Sequence, residues 1–391
     1  MSARGTRLAG ARRLVFALLQ LLPLAARAEP ALPPPVDFEP TAAHPRSSEG
    51  SFATLRSGRI IFCYSQFYGG GNDDSPSAIA KIYSDDGGKS WSSPEIAVPT
   101  GDNQNLMSVS LLRLASGRLV MFYLAKKNRW LDCHPFLRVS GDEGATWGPP
   151  VKVVAAPGYF ELNNDRAVQL RSGRLILPVS FYRSTGTLDA QTSWDSRAII
   201  LWYYSDDEGA TWSESATWWS MPMVSRSGLQ EPGVVELGDG SLFSWARTDQ
   251  GAQFGFRSRD GGKTWSAPEP TELKSPESPA GVKRLPGSDT LLAVFNDHSG
   301  RFPFPPPGNQ RTPLVVAFST DGGRTWPLRR LMEDDPTGWY CYTAIHFTDE
   351  GVLLAYCASN QQLPHLSRLR LRLIPWAWLR VPPVGSIDAH G

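Results

Sequence analysis

Ser84-Asp85-Asp86-Gly87-Gly88-Lys89-Ser90-Trp91 is the stretch that decides the fold, because it returns four more times as Ser-x-Asp-x-Gly-x-(Ser/Thr)-Trp. The later copies end at Trp147, Trp212, Trp265 and Trp326. Five matches to so long a pattern exclude coincidence and mark a repeat architecture. In each copy the Asp (Asp86, Asp142, Asp207, Asp260, Asp321) can accept hydrogen bonds from the N–H groups of its own turn. The Gly two residues later tolerates a positive φ, and the Trp can cap an apolar seam. These carboxylates therefore read as locks on hairpin turns, not as catalysts.

A second repeat runs out of phase with the first. An apolar strand, a polar turn with Gly and a second apolar strand recur around Gly58, Gly117, Gly173, Gly240, Gly287 and Gly351. Six such hairpins alternating with five Asp turns give four strands per unit. The expected fold is all-β, a six-bladed β-propeller of four-stranded antiparallel blades. The last blade lacks an Asp turn, so its outer strand should come from RLRLRLIPWAWL near residues 369–379 or from an N-terminal segment that closes the ring.

Composition agrees. With 36 Gly and 33 Pro in 391 residues, 11% aromatics and only 20% charged residues, the chain is rich in turns and core formers and is neither a helical bundle nor disordered. Its 39 basic and 38 acidic residues suggest neither nucleic acid nor a membrane surface as partner. Residues 1–28 hold five Arg and no acid, with an apolar run from Leu14 to Ala26 and the small-x-small site Ala26-Arg27-Ala28. They read as a signal peptide cleaved after Ala28, which implies a secreted or periplasmic protein without stable membrane insertion. Residues 29–46 read as a Pro-rich linker and 47–391 as a single propeller. The four cysteines (Cys63, Cys133, Cys341, Cys357) are too scattered for a disulfide framework, and no zinc motif occurs, so neither metal nor cofactor is expected.

Propellers bind ligands over the central channel, and the polar residues placed there by the repeat are Glu49, Asp73, Asp74, Asn163 to Arg166, Gln230, Glu231, Arg247, Arg311 and Tyr342. At these positions the chain resembles the sialidase (neuraminidase) superfamily over nearly all of residues 47–391. QEPGVVELGDGSLFSWAR resembles the family segment in which a Glu precedes the second of three arginines, which fall on Glu231 and Arg247. RTPLVVAFSTDGGRTW puts Arg311 on the third arginine, and CYTAIHFTDEGVLLAYC puts Tyr342 on the family's nucleophile. The resemblance implies an exported exo-glycosidase that removes a terminal sialic acid, or a related acidic sugar, from glycoconjugates with retention.

Those residue types suit an acidic sugar. A neutral phenol can approach an anomeric carbon that carries a carboxylate, where a charged nucleophile would be repelled, and an adjacent Glu can take its proton. Arginines offer fixed paired donors to the substrate carboxylate. The family's acid/base lies in the first-blade loop, where Asp73 and Asp74 both stand, with Asp74 the favoured residue.

Three positions depart from the family pattern. Ser48, followed by Glu49, occupies the place of the first arginine, Cys357 occupies that of the Glu bracing it, and Asp165-Arg166 replaces a small stretch in blade three. Arg166 either supplies part of the missing arginine or pairs with Asp165 as scaffold. The altered pocket leaves open a glycosidase for a different terminal sugar, or a glycan-binding propeller without catalysis.

Overall fold

All five Asp turns close in the same way. Ser84 Oγ donates to Asp86 Oδ1 and accepts from the Gly88 N–H, both at 2.8 Å, while the Lys89 and Ser90 N–H groups donate to the same Asp oxygen at 3.0 and 2.9 Å. Asp207 repeats the arrangement with Ser205, Gly209 and Thr211. Gly209 sits at φ 91°, and a Cβ there would lie 2.4 Å from Leu137 of the preceding blade, so both its backbone and its neighbour require glycine.

The computed structural model describes residues 32–186, 193–302, 310–364 and 366–379. The expected signal segment 1–28 lies outside them. Within the compact unit that begins at Leu32, the strands form six blades. Blade one is Arg46–Thr54, Ile60–Phe67, Ser77–Ser84 and Glu95–Val98; blade two is Asn105–Arg113, Leu119–Lys126, Cys133–Ser140 and Val151–Lys152. In blade three the inner strand comes in two pieces, Tyr159–Glu161 and Val168–Gln169, both pairing with Leu175–Tyr182, followed by Ile199–Ser205 and Ser213–Glu214. A parallel bridge from Tyr159 to Cys133 links it to blade two. Blade four is Gln230–Glu236, Leu242–Arg247, Phe254–Ser258 and Glu269–Pro270; blade five is Gly281–Arg284, Leu291–Asn296, Leu314–Ser319 and Leu328–Glu333.

Blade six joins the first and the last of the described strands. Its strands run Trp339–Phe347, Gly351–Ser359 and Leu369–Pro375, and Val36–Phe38, within the stretch expected to be linker, pairs outside the last of these. Both proposed sources of the missing strand are thus used, and Trp376–Leu379 turns into a short helix. The ring closes through the Asp turns, each of which leans on the blade before it: Gly144 on Ile61, Gly262 on Ile176, and Gly88 of blade one on Leu353 of blade six. Apolar side chains fill the seams between blades, as where Phe52, Phe62, Leu353 and Leu371 meet, each contributing about 2 kcal/mol by burial.

One irregularity positions the channel residues. The inner strands of blades one, two, four and six each carry an extra residue, between Ser48 and Ser51, Met107 and Ser110, Gln230 and Gly233, and Cys341 and Ala344. Glu49, Ser108, Glu231 and Tyr342 stand in these bulges at φ 56°, 59°, 48° and 56°, and Asp165 holds φ 58° in the break of blade three. A side chain in this conformation costs about 1–3 kcal/mol, and its recurrence on the inner strands of five blades marks a device for re-aiming side chains.

Candidate active site

Glu231 and Tyr342, from bulges in blades four and six, meet directly. Tyr342 Oη donates to Glu231 Oε1 at 3.0 Å, and Arg247 Nη1, at the end of the next strand, reaches the same oxygen at 2.8 Å. Burial first, then the Glu231 charge, raises the Tyr342 phenol well above its ordinary value against the pull of Arg311 and Arg247, so without ligand it stays protonated. Glu277 backs Arg247 from the other side at 3.2 Å. Arg311 is buried between the rings of Trp339 and Tyr342, its guanidinium carbon 5.0 and 5.5 Å from their centres.

Blade one carries an arginine that sequence reasoning missed. Arg46 is buried; its Nε donates to Ser48 Oγ at 2.9 Å, its Nη1 to Asp73 Oδ1 at 2.6 Å, and its Nη2 lies 3.4 Å from Glu49 Oε1. Ser48, in the place of the family's first arginine, thus holds a guanidinium that arrives from two residues upstream. Cys357 lies close enough for Arg46 to favour its ionised form, although its hydrogen bond with Cys341, and then burial, keep that thiol far above its usual range. All four cysteines are buried and free.

The two candidate acids separate. Asp74 pairs with Arg129 at 3.2 Å, away from the cluster. Asp73 faces the cations: desolvation would raise its carboxyl, but Arg46, Lys126 and Arg311 outweigh that and hold it at about 2. Arg46 dominates this set.

Asp165 and Arg166 do not pair with each other in the described contacts. Asp165 accepts from Ser51 Oγ at 2.9 Å, Lys283 Nζ at 2.8 Å and the Ile345 N–H at 2.9 Å, and so joins blades one, three, five and six beneath the site. Asn164 ties the same floor together by donating to Gly50 O at 2.9 Å and Tyr342 O at 3.1 Å. Arg166 donates to Ala280 O at 2.8 Å beside the Trp245 ring, and its Nε has no partner.

The wall on blades two and three was also missed. Lys126 Nζ donates to Asp73 O at 2.9 Å, and burial, then Glu231, raises the Glu161 carboxyl to about 7 against Lys126 and a hydrogen bond from Tyr182. Buried polar atoms without partners gather around this site: Arg46 Nη2, Glu49 Oε2, Glu231 Oε2, Arg247 Nε, and Arg311 Nε and Nη1. Each costs about 1–3 kcal/mol unpaired, which suits a pocket that completes its hydrogen bonds with an anionic, polyhydroxylated ligand.

A family model described as a BNR repeat-like domain matches residues 63–354. The chain belongs to this family. Relatives similar to it include a sialidase of Bacteroides fragilis (strain YCH46), 26% identical over 255 residues that cover 59% of this chain and 42% of the relative. A sialidase of Micromonospora viridifaciens is 22% identical over 321 residues, covering 71% of this chain and 45% of that one. The chain thus spans under half the length of these curated relatives. Among solved structures, Hadza microbial sialidase Hz136 superposes with a TM-score of 0.66 at 20% identity, covering 87% of this chain and 68% of its own. The intramolecular trans-sialidase from Ruminococcus gnavus gives 0.67 at 16% identity, covering 88% and 98%. At these identities the superpositions speak for the sialidase propeller fold.

Proposed function

We propose that this protein is a sialidase-type exo-glycosidase, exported through residues 1–28 and acting on a terminal sialic acid or a related acidic sugar of glycoconjugates. The carrying observation is the contact of Tyr342 Oη with Glu231 Oε1 at 3.0 Å, in a cluster that also holds Arg247 and Arg311. In this reading Arg247, Arg311 and Arg46 hold the sugar carboxylate. Tyr342 attacks the anomeric carbon while Glu231 takes its proton, and the bond to the leaving oxygen breaks as an Asp protonates it. Water then attacks the tyrosyl-bound sugar with the same Asp as base, the bond to Tyr342 Oη breaks and that oxygen takes its proton back from Glu231, which restores the enzyme and the starting configuration of the sugar.

Asp73 fits the acid's role better than Asp74, since it stands beside the cations. Its low value belongs to the empty site. A bound carboxylate neutralises Arg46 and Arg311 and lets the Asp73 carboxyl take up a proton.

A panel of aryl glycosides tests the reading. Release from the sialoside, lost in Tyr342→Phe, supports it, and the anomeric form of the first product reports retention. Release from other glycosides alone would favour a different sugar, a reading for which the exchange of arginine for Ser48 and Glu49 argues. Glycan binding without turnover of any glycoside would mark a recognition propeller.

A further inference from the structure

On blade one a single cation stands between two acids. Arg46 reaches Asp73 Oδ1 at 2.6 Å and Glu49 Oε1 at 3.4 Å, and one guanidinium in this position cannot hold both acids ionised equally well. Asp73, which opens to solvent, keeps its charge. Glu49 is 3% exposed, and burial first, with Asp73 and Glu161 adding to it, pushes its carboxyl up to about 8 against Arg46 and Lys126. Its Oε2 and the neighbouring Arg46 Nη2 have no hydrogen-bond partner. Glu49 stands in a bulge of the same kind as those that hold Glu231 and Tyr342.

We propose that Glu49 is a substrate-binding residue that works as a neutral carboxylic acid, donating a hydrogen bond to the acidic group of the sugar beside Arg46. This rests on the sialidase-type reading above. It gives the site a property that a permanent cation at this position could not confer: binding is gated by alkali. Below about pH 8 Glu49 donates; above it the ionised carboxylate both loses the donor and repels the ligand's charge. The groups facing Glu49 are Arg46 and Asp73 of blade one, Lys126 of blade two, Glu161 of blade three, and Tyr342 and Cys357 of blade six. Glu161 titrates nearest the same range, so the comparison must hold it constant.

The experiment measures KM for an aryl sialoside from pH 5.5 to 9.5 in the wild type and in Glu49→Gln, whose amide keeps the size and a donor but cannot ionise. The wild-type KM is expected to rise about tenfold per pH unit above 8 and that of the variant to stay flat, with Glu161 common to both. A flat wild-type profile, or the same rise in both proteins, overturns the proposal. Infrared difference spectra between pH 6 and 9.5 give an independent readout: the wild type should show one protonated-carboxyl band more than the variant, whose remaining band belongs to Glu161, and identical spectra from the two proteins also overturn the proposal. If no sialoside turns over at any pH, the proposed activity fails, and calorimetric binding of free sialic acid replaces KM. Weakening with pH in the wild type alone supports Glu49; no binding, or the same response in both, overturns it.

Discussion

Asp165 and Glu231 lie in neighbouring blades with nearly the same left-handed backbone, φ 58° and 48°, yet they do opposite work. Asp165, at the channel floor, takes three donors on its two oxygens and cross-links the ring. Glu231, at the mouth, shares Oε1 between Tyr342 and Arg247 and leaves Oε2 unpaired. The same backbone conformation therefore serves as scaffold where its side chain is satisfied and as candidate machinery where it is not. Unfinished hydrogen bonding, more than an acid in the channel, separates the two regions.

The sharpest way to break that contrast is at the mouth. Tyr342→Phe keeps the ring and removes the oxygen proposed to attack, and turnover of an aryl sialoside should fall by at least about 10³-fold in kcat with little change in Tm; a variant that keeps turnover refutes the assignment. At the floor, Asp165→Ala takes the carboxylate from Lys283 and the acceptor from the Ile345 N–H and should cost about 3 kcal/mol, read from the urea midpoint. Arg311→Met tests the trade between the regions. It replaces an underpaired buried cation, so it should raise stability by about 1 kcal/mol while abolishing binding of the acidic sugar.

The rim gives the smallest effects. Asp86→Ala removes one turn lock and should cost about 1 kcal/mol with kcat/KM unchanged. Acid acts on all the locks together. Desolvation raises the Asp86 carboxyl slightly, but hydrogen bonds from Ser90, Ser84 and Lys89 hold it at about 2, and Thr146 does the same for Asp142. A carboxyl depressed in the fold contributes stability above its unfolded value near 4 and loses it as pH falls through the folded one. Tryptophan fluorescence should therefore report unfolding concentrated between about pH 4 and 2, and a transition centred above pH 5 would assign acid sensitivity to other groups.

The fold was legible because its determinants are local. Each Asp turn carries its own acceptor, glycine and Trp within eight residues, so the repeat shows blade number without any tertiary knowledge. Glu231, Arg247 and Tyr342 could be picked out through the hairpins beside them and Arg311 through the Asp turn that follows it, each by resemblance to a family segment. Arg46 was not: counting back from Gly58 lands on Ser48, and only a long side chain folding down onto Ser48 Oγ brings the guanidinium into place. Lys126 and Glu161 sit at strand ends with no motif around them and become site residues only when blades two and three are laid side by side. The division between Asp73 and Asp74 is likewise tertiary, decided by Arg129 on one side and Arg46 on the other.

The pairing of Val36–Phe38 with Leu369–Leu371 bears on how the molecule is made. Arg370 grips both oxygens of Asp37 at 2.8 and 2.7 Å across a sequence separation of 333 residues, whereas the other blades are built from strands that follow one another in the chain. Joining ends that far apart carries an entropic cost of about 5 kcal/mol, which a three-residue strand and one forked ion pair must help to offset. During synthesis blades one to five can assemble as they appear, but the ring stays an open arc until the Leu369–Pro375 strand has emerged, with the edges of blades one and five facing solvent in the interval. The most vulnerable stage for this fold is therefore the one before that strand is in place, and a tag or truncation that disturbs residues 36–38 should lower the yield of folded protein far more than its effect on any single contact suggests.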